Sequence, residues 1–225
     1  MGVTARKAAL VVEWNRNTVT RYFARFRQAA ARGAEASAAS APLAGVVEAD
    51  ESYFGGNPRK ASYKPPPKGQ KRGRGAADKV KVFGMVERGT GRVIPVIVDD
   101  VKSRTLIPLI QQHVAPDANV MTDDFKSYRP LERHGINHFP VNHSAREWKE
   151  AWTGAHTNTI ESVWRQFKRH LSRFNGGWRP KARVWLGECA ARWLWRKPGD
   201  MLRGVAKFMG GRPGGDLQKA ASSPH

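Results

Sequence analysis

Between Lys7 and Arg32 the apolar residues Leu10, Val11, Val12, Trp14, Val19, Tyr22, Phe23 and Phe26 recur at helical spacing, broken by the polar run Asn15-Arg16-Asn17. The pattern predicts two helices and a turn. The second helix starts with Asn17 or Thr18 as its cap and carries Arg21, Arg25 and Arg27 outside the apolar stripe. Residues 1–32 thus read as a partial helix-turn-helix, with an ordinary basic helical hairpin as the plainer alternative. The Ala-, Gly-, Ser- and Pro-rich residues 33–45 read as a linker.

From Val46 the period changes. VVEADESYFGG alternates and ends in paired glycines, which predicts a strand. A basic loop over 56–79 follows, with three consecutive prolines and almost no apolar residue. KVKVFGMVER and GRVIPVIVDD are β-branched runs joined by Gly89-Thr90-Gly91, so three sequential antiparallel strands are expected. SRTLIPLIQQHV reads as a helix capped by Ser103, with Pro108 in its first turns or bending it. NVMTDDF reads as a short buried strand ending in two aspartates. HTNTIESVWRQFKRHL is a helix with Ile160, Trp164, Phe167 and Leu171 on one stripe, and RPKARVWLGECAARWLWRK is another. The order strand, strand, strand, helix, strand predicts an α/β domain over 46–209 with a mixed sheet flanked by helices. The Gly/Pro/Ser-rich tail 210–225 is expected to fray.

Charge adds a partner. The 225 residues hold 39 Lys+Arg against 19 Asp+Glu, a formal net charge of +20, and such a surface attracts polyanions by releasing their condensed counterions. Nucleic acid is the expected partner. The single cysteine, Cys189, excludes an intrachain disulfide and a Cys-based zinc site. No apolar run reaches membrane-spanning length and the first residues lack a secretory pattern, so no membrane partner and a cytoplasmic, nucleoid-associated location are expected.

In so basic a chain the acidic residues carry the candidate chemistry. Asp50 lies in the first strand, Asp123 ends the fourth, and Glu161 starts the Trp164 helix. If the sheet sets the first two side by side and the helix crosses their ends, three carboxylates converge. Hard oxygen ligands of this kind suit Mg²⁺ or Mn²⁺, and a pair of such ions suits in-line displacement at phosphorus. Each residue also has a structural reading. Asp50 sits beside Glu48 and Glu51 and also reads as simply exposed. Asp123 and Asp124 suit a turn or cap before FKSY. Glu161 follows Asn158 at the spacing of a capping box. Arg165 and Lys168, four and seven residues beyond Glu161, suit either a surface ion pair or a phosphate contact.

The strings VEADESYFGG, RGRGAADKVKVFGMVER, VMTDDFKSYRPL and VNHSAREW…HTNTIESVWRQFKRHL occur in this order and together resemble the DDE transposases of bacterial insertion sequences, in the branch related to the Merlin elements. The resemblance covers Val46 to Lys197. It implies a ribonuclease-H-like catalytic core, two Mg²⁺ or Mn²⁺ ions on Asp50, Asp123 and Glu161, and strand cleavage and transfer at element ends. Asn158 is a rival for the third metal position, Lys168 matches the basic residue after the third acid, and His143 and His156 fall where the family carries histidines near the site. Double-stranded DNA is the implied partner, bound by a homodimer or larger assembly. Its expected contacts are Arg21, Arg25, Arg59, Lys60, Lys71, Arg72, Arg74, Arg165 and Lys168. Full-length relatives carry a zinc ribbon ahead of the helix-turn-helix; its lack here leads us to expect a shortened reading frame with end recognition in doubt. The rival functions are a non-catalytic DNA-binding derivative and a ribonuclease-H-like nuclease.

Overall fold

The computed structural model describes residues 3–55, 79–141, 156–174 and 176–209. Its centre is a five-stranded sheet in the order β3-β2-β1-β4-β5. The strands are β1 (Val46–Phe54), β2 (Val80–Glu87), β3 (Val93–Ile97), β4 (Asn119–Asp123) and β5 (Asn137–Val141). As the alternating runs predict, β1 to β3 form an antiparallel meander. β4 lies parallel to β1, and β5 parallel to β4. Since β3 and β4 run the same way, a crossover must join them, and α3 (Ser103–His113) supplies it. This is the ribonuclease-H-like order expected for the α/β chain.

The period-2 alternation of β1 divides the core into two layers. Val47 and Ala49 join Phe83, Met85, Leu106, Ile110 and Tyr128 on the α3 side. Phe54 joins Val82, Val86 and the predicted stripe Ile160, Trp164, Phe167 and Leu171 of α4 (Asn158–Ser172) on the other. Behind α4 lie α5 (Ala182–Leu194) and α6 (Pro198–Met209).

The N-terminal segment departs from expectation. α1 (Ala5–Val11) and α2 (Arg16–Ala39) are two helices joined by a short turn, and the cap of α2 is Asn15, whose Oδ1 accepts from Asn17 N at 2.8 Å. The linker starts later than expected, because residues 33–39 continue α2. Alanine is the strongest helix former, and here the small residues are also a packing face. Gly187 of α5 approaches so closely that a Cβ there would lie 2.7 Å from Ala31 Cβ. Nor does Arg27 face outward: its Nε donates to Glu188 Oε2 at 2.8 Å and its guanidinium lies 3.4 Å over the Trp185 ring. At the C-terminal end of α2 and just beyond it, Arg92 donates to the carbonyls of Ser37 (3.5 Å), Ala41 (2.9 Å) and Pro42 (2.8 Å) while pairing with Glu87. α2 is thereby fastened to the sheet domain.

Two smaller expectations also change. Ser103 is the first residue of α3 and not its cap; Asp100 Oδ1 instead accepts from Lys102 N (3.0 Å) and Thr105 Oγ1 (2.7 Å). Pro108 lies inside α3 without ending it. The basic residues 56–78 and the tail 210–225 lie outside the described residues. Among the described residues no helix is long and apolar enough to cross a membrane.

Candidate active site

Parallel pairing of β1 with β4 aligns Val47 with Val120 and Glu48 with Met121. Carried on by two residues, that register sets Asp50 level with Asp123, and the alternation of both strands turns them to the same face. Their charges interact. Burial first, then the negative charge of Glu51 and that of Asp123, raise the Asp50 carboxyl to about 7, although a hydrogen bond from Trp164 works the other way. Asp123 is half-buried, and its Oδ1 accepts from Phe125 N at 3.1 Å, so it also performs the turn duty that its sequence position suggests. Glu51 faces the α3 side and accepts from the buried Tyr128 hydroxyl at 2.6 Å. Burial, together with Asp123, raises the Glu51 carboxyl too, despite that bond. Glu51 and Tyr128 were not singled out by sequence reasoning; the adjacency of Glu51 to Asp50 and the FKSY string were the available signals.

Asp50 is held from α4. Trp164 Nε1 donates to Asp50 Oδ2 at 2.8 Å. The indole reaches it because Gly84 of β2, the register partner of Asp50, has no side chain: a Cβ there would lie 2.5 Å from Trp164 Cζ2. Phe54 packs edge-on to the same indole, with ring centroids 5.6 Å apart.

Glu161 lies in the first turn of α4 and is exposed. It does not enter the set of charges acting on Asp50, and among the described residues no three His, Cys, Asp or Glu side chains converge as ion ligands. The expected capping box is absent as well: Asn158 is the first helical residue, and the cap residue Thr157 makes no side-chain capping bond. The cap comes from β1, where Glu48 Oε2 accepts from Ile160 N at 2.9 Å. Glu48 is fully buried. His156 Nδ1 lies 3.3 Å from Glu48 Oε1, so this candidate histidine stands beside Glu48.

Arg21 and Arg25 are exposed one turn apart on α2, and Arg165 and Lys168 are exposed on α4. No ion pair joins Glu161 to Arg165 among the described residues; Lys168 Nζ lies 5.7 Å from the Phe54 ring. Arg59, Lys60, Lys71, Arg72, Arg74 and His143 lie outside the described residues.

The Asp50–Asp123 pair suits a hard divalent cation, which binds one or two carboxylates and completes its shell with water and phosphate oxygens. Mutual repulsion and desolvation are the penalties that a cation between them would relieve. Among the described residues a third protein ligand is not assembled beside them.

A sheet of this order, with one aspartate midway along β1 and another at the end of the adjoining β4, defines the class: an α/β, ribonuclease-H-like domain. The particular family follows from comparison. The ISXO2-like transposase domain matches residues 42–190, and the chain belongs to that family. An uncharacterized transposase-like protein of Haemophilus influenzae is 39% identical over 101 residues, spanning 45% of this chain and 80% of the relative. Among solved structures, the HTLV-2 integrase catalytic core domain in complex with magnesium covers 77% of this chain and 99% of that chain at 11% identity and a TM-score of 0.37. A pre-cleavage Mos1 transpososome covers 94% and 76% at 14% identity and a TM-score of 0.27. Both likenesses are too loose to bear on individual residues.

Proposed function

We propose that this transposase-family chain is a metal-dependent DNA strand transferase, cutting at the ends of an insertion sequence and joining them to target DNA. The observation that carries the reading is the Asp50–Asp123 pair on adjoining parallel strands, in a chain of net charge +20. Asp50 and Asp123 would hold the cation, Mg²⁺ or Mn²⁺, as a pair of ions when DNA supplies further oxygens; Glu161, exposed on α4, would be the third ligand, with Asn158 its rival. Bound there, the cation supplies an activated attacking oxygen and stabilises the leaving one. The chain's own residues do the rest. Trp164 keeps the Asp50 carboxylate aimed, through its 2.8 Å bond. Lys168 and Arg165 on α4 receive backbone phosphates beside the acids. Arg21 and Arg25, with Arg59, Lys60, Lys71, Arg72 and Arg74, bind the duplex more widely, chiefly through charge. His143 and His156 are supporting groups rather than ligands. Joining two ends takes two such sites, hence a dimer or larger assembly on DNA.

A strand-transfer assay with Asp123→Asn tests this. Loss of joined product with salt-sensitive DNA binding intact supports the reading, and undiminished transfer overturns it. One observation favours a second reading, a transposase-derived protein that binds DNA without cutting: Glu161 is exposed and separate from the aspartates. Metal-dependent nicking of element-end DNA by the wild-type chain decides between the two. A nuclease that cuts without joining would give nicks and no transfer product.

A further inference from the structure

Glu48 is fully buried, and a carboxylate removed from water is costly unless charges and hydrogen bonds meet it. Two donors do so, and a histidine stands beside them. Arg88, just beyond β2, donates Nε to Glu48 Oε1 at 2.5 Å. His156, at the entry to α4, brings Nδ1 within 3.3 Å of the same oxygen. Ile160 N donates to Oε2 at 2.9 Å. Arg88 also donates to the His156 carbonyl at 2.5 Å, which closes a ring linking β1, the end of β2 and the start of α4.

Ile160 is the third residue of α4, and its N–H is one of the donors a helix leaves unmet and an N-cap side chain ordinarily satisfies. Here a distant strand provides the cap, and a negative charge at that end also favours the helix dipole. Two residues further along β1, Asp50 accepts from Trp164 of the same helix. α4 is therefore tied to one strand at two points, Glu48–Ile160 and Asp50–Trp164. Glu161 lies between them.

We propose that Glu48 is a positioning residue that sets Glu161 relative to the Asp50–Asp123 pair. It touches no reacting atom. Its buried carboxylate fixes the height and rotation of the first turn of α4, leaving Trp164 as a second, independent anchor. The inference rests on the strand-transferase reading above.

The test uses the full chain with two variants: Glu48→Gln, and the double variant Glu48→Leu with Arg88→Met, which leaves no unpaired buried charge if the first proves unstable. Two quantities are read: hydrogen exchange at the Ile160 and Glu161 amides in metal-free protein, and the Mn²⁺ concentration giving half-maximal cleavage of element-end DNA. The expected result is exchange at least tenfold faster at those amides, a Mn²⁺ requirement raised at least tenfold, and DNA binding unchanged. Unchanged exchange overturns the proposal. Faster exchange with an unchanged Mn²⁺ requirement overturns it too, since Glu48 would then only stabilise the helix. If the wild-type chain itself cleaves nothing with Mn²⁺, the transferase reading has failed; an active wild type with indifferent variants defeats only the role of Glu48.

Discussion

Trp164 donates its indole Nε1 to Asp50 Oδ2 at 2.8 Å, so one residue serves both the core beneath α4 and the candidate metal-binding face. The bond favours the charged carboxylate against the burial that opposes it. Trp164→Phe keeps an aromatic ring and removes the donor. Asp50 then ionises at higher pH, and the pH at which Mn²⁺-dependent cleavage reaches half its maximum moves upward. A pH–rate profile of the variant checks this.

Gly84→Ala tests the same contact from the sheet. The added Cβ clashes with Trp164 Cη2 and lies 2.5 Å from Cζ2, in a rigid ring with no slack. Overpacking of this kind costs about 1–3 kcal/mol, read by chemical denaturation, and it also displaces the Asp50 partner, so cleavage falls with stability.

The Asp50 carboxyl stands at about 7 in the folded chain against its ordinary 3.8. The folded state therefore holds a proton more tightly than the unfolded state, and the stability this contributes is complete below about 4, is lost as pH rises toward about 7, and stays flat above. Metal-free wild-type protein should lose stability relative to Asp50→Asn across that window. Denaturation of both proteins between pH 4.5 and 8 measures the difference, and saturating Mn²⁺ should shrink it.

Glu188 behaves oppositely. Burial works to raise its carboxyl, but His170 3.4 Å away and the charges of Arg192 and Arg27 overcome that and hold it at about 2. Glu188→Gln strands Arg27 over Trp185 and loosens α2 from α5. Breaking one side of a buried pair costs about 3–5 kcal/mol, and the variant should also be cut by protease within α2 sooner than wild type.

Arg21 and Arg25 are exposed on one side of α2. If both contact phosphates, the double alanine variant lowers the magnitude of the slope of log affinity against log salt by roughly 2. Equilibrium binding to a DNA duplex between 50 and 200 mM salt reads the slope directly.

The sequence announced the meander β1 to β3 and the stripe of α4, because alternation and helical spacing are local and strong. β5 went unrecognised: Asn137–Val141 is a short edge strand containing Pro140, with much of its length exposed. The continuation of α2 past residue 32 is not legible because Ala, Gly and Ser look like loop composition, whereas here Gly33 makes room for the Trp195 ring and Ala34 packs in the core. Of the candidate site, Asp50 and Asp123 were visible from motif order, and parallel pairing brings them level. Glu48 was hidden, because what makes it matter is a backbone donor 112 residues away, Ile160 N, and no local pattern encodes that. The exposure of Glu161 was equally unreadable, since it depends on how α4 rests on β1.

The central claim is that Asp50 and Asp123 act together on one cation to cut DNA. Its most direct test is Mn²⁺-dependent cleavage of element-end DNA by wild type, Asp50→Asn and Asp123→Asn, with binding to the same DNA measured in parallel. We expect cleavage by the wild type, a loss of at least about a thousandfold in each variant, on the scale of removing a group that stabilises the transition state, and unchanged binding. Cleavage by either variant at the wild-type rate would contradict the account.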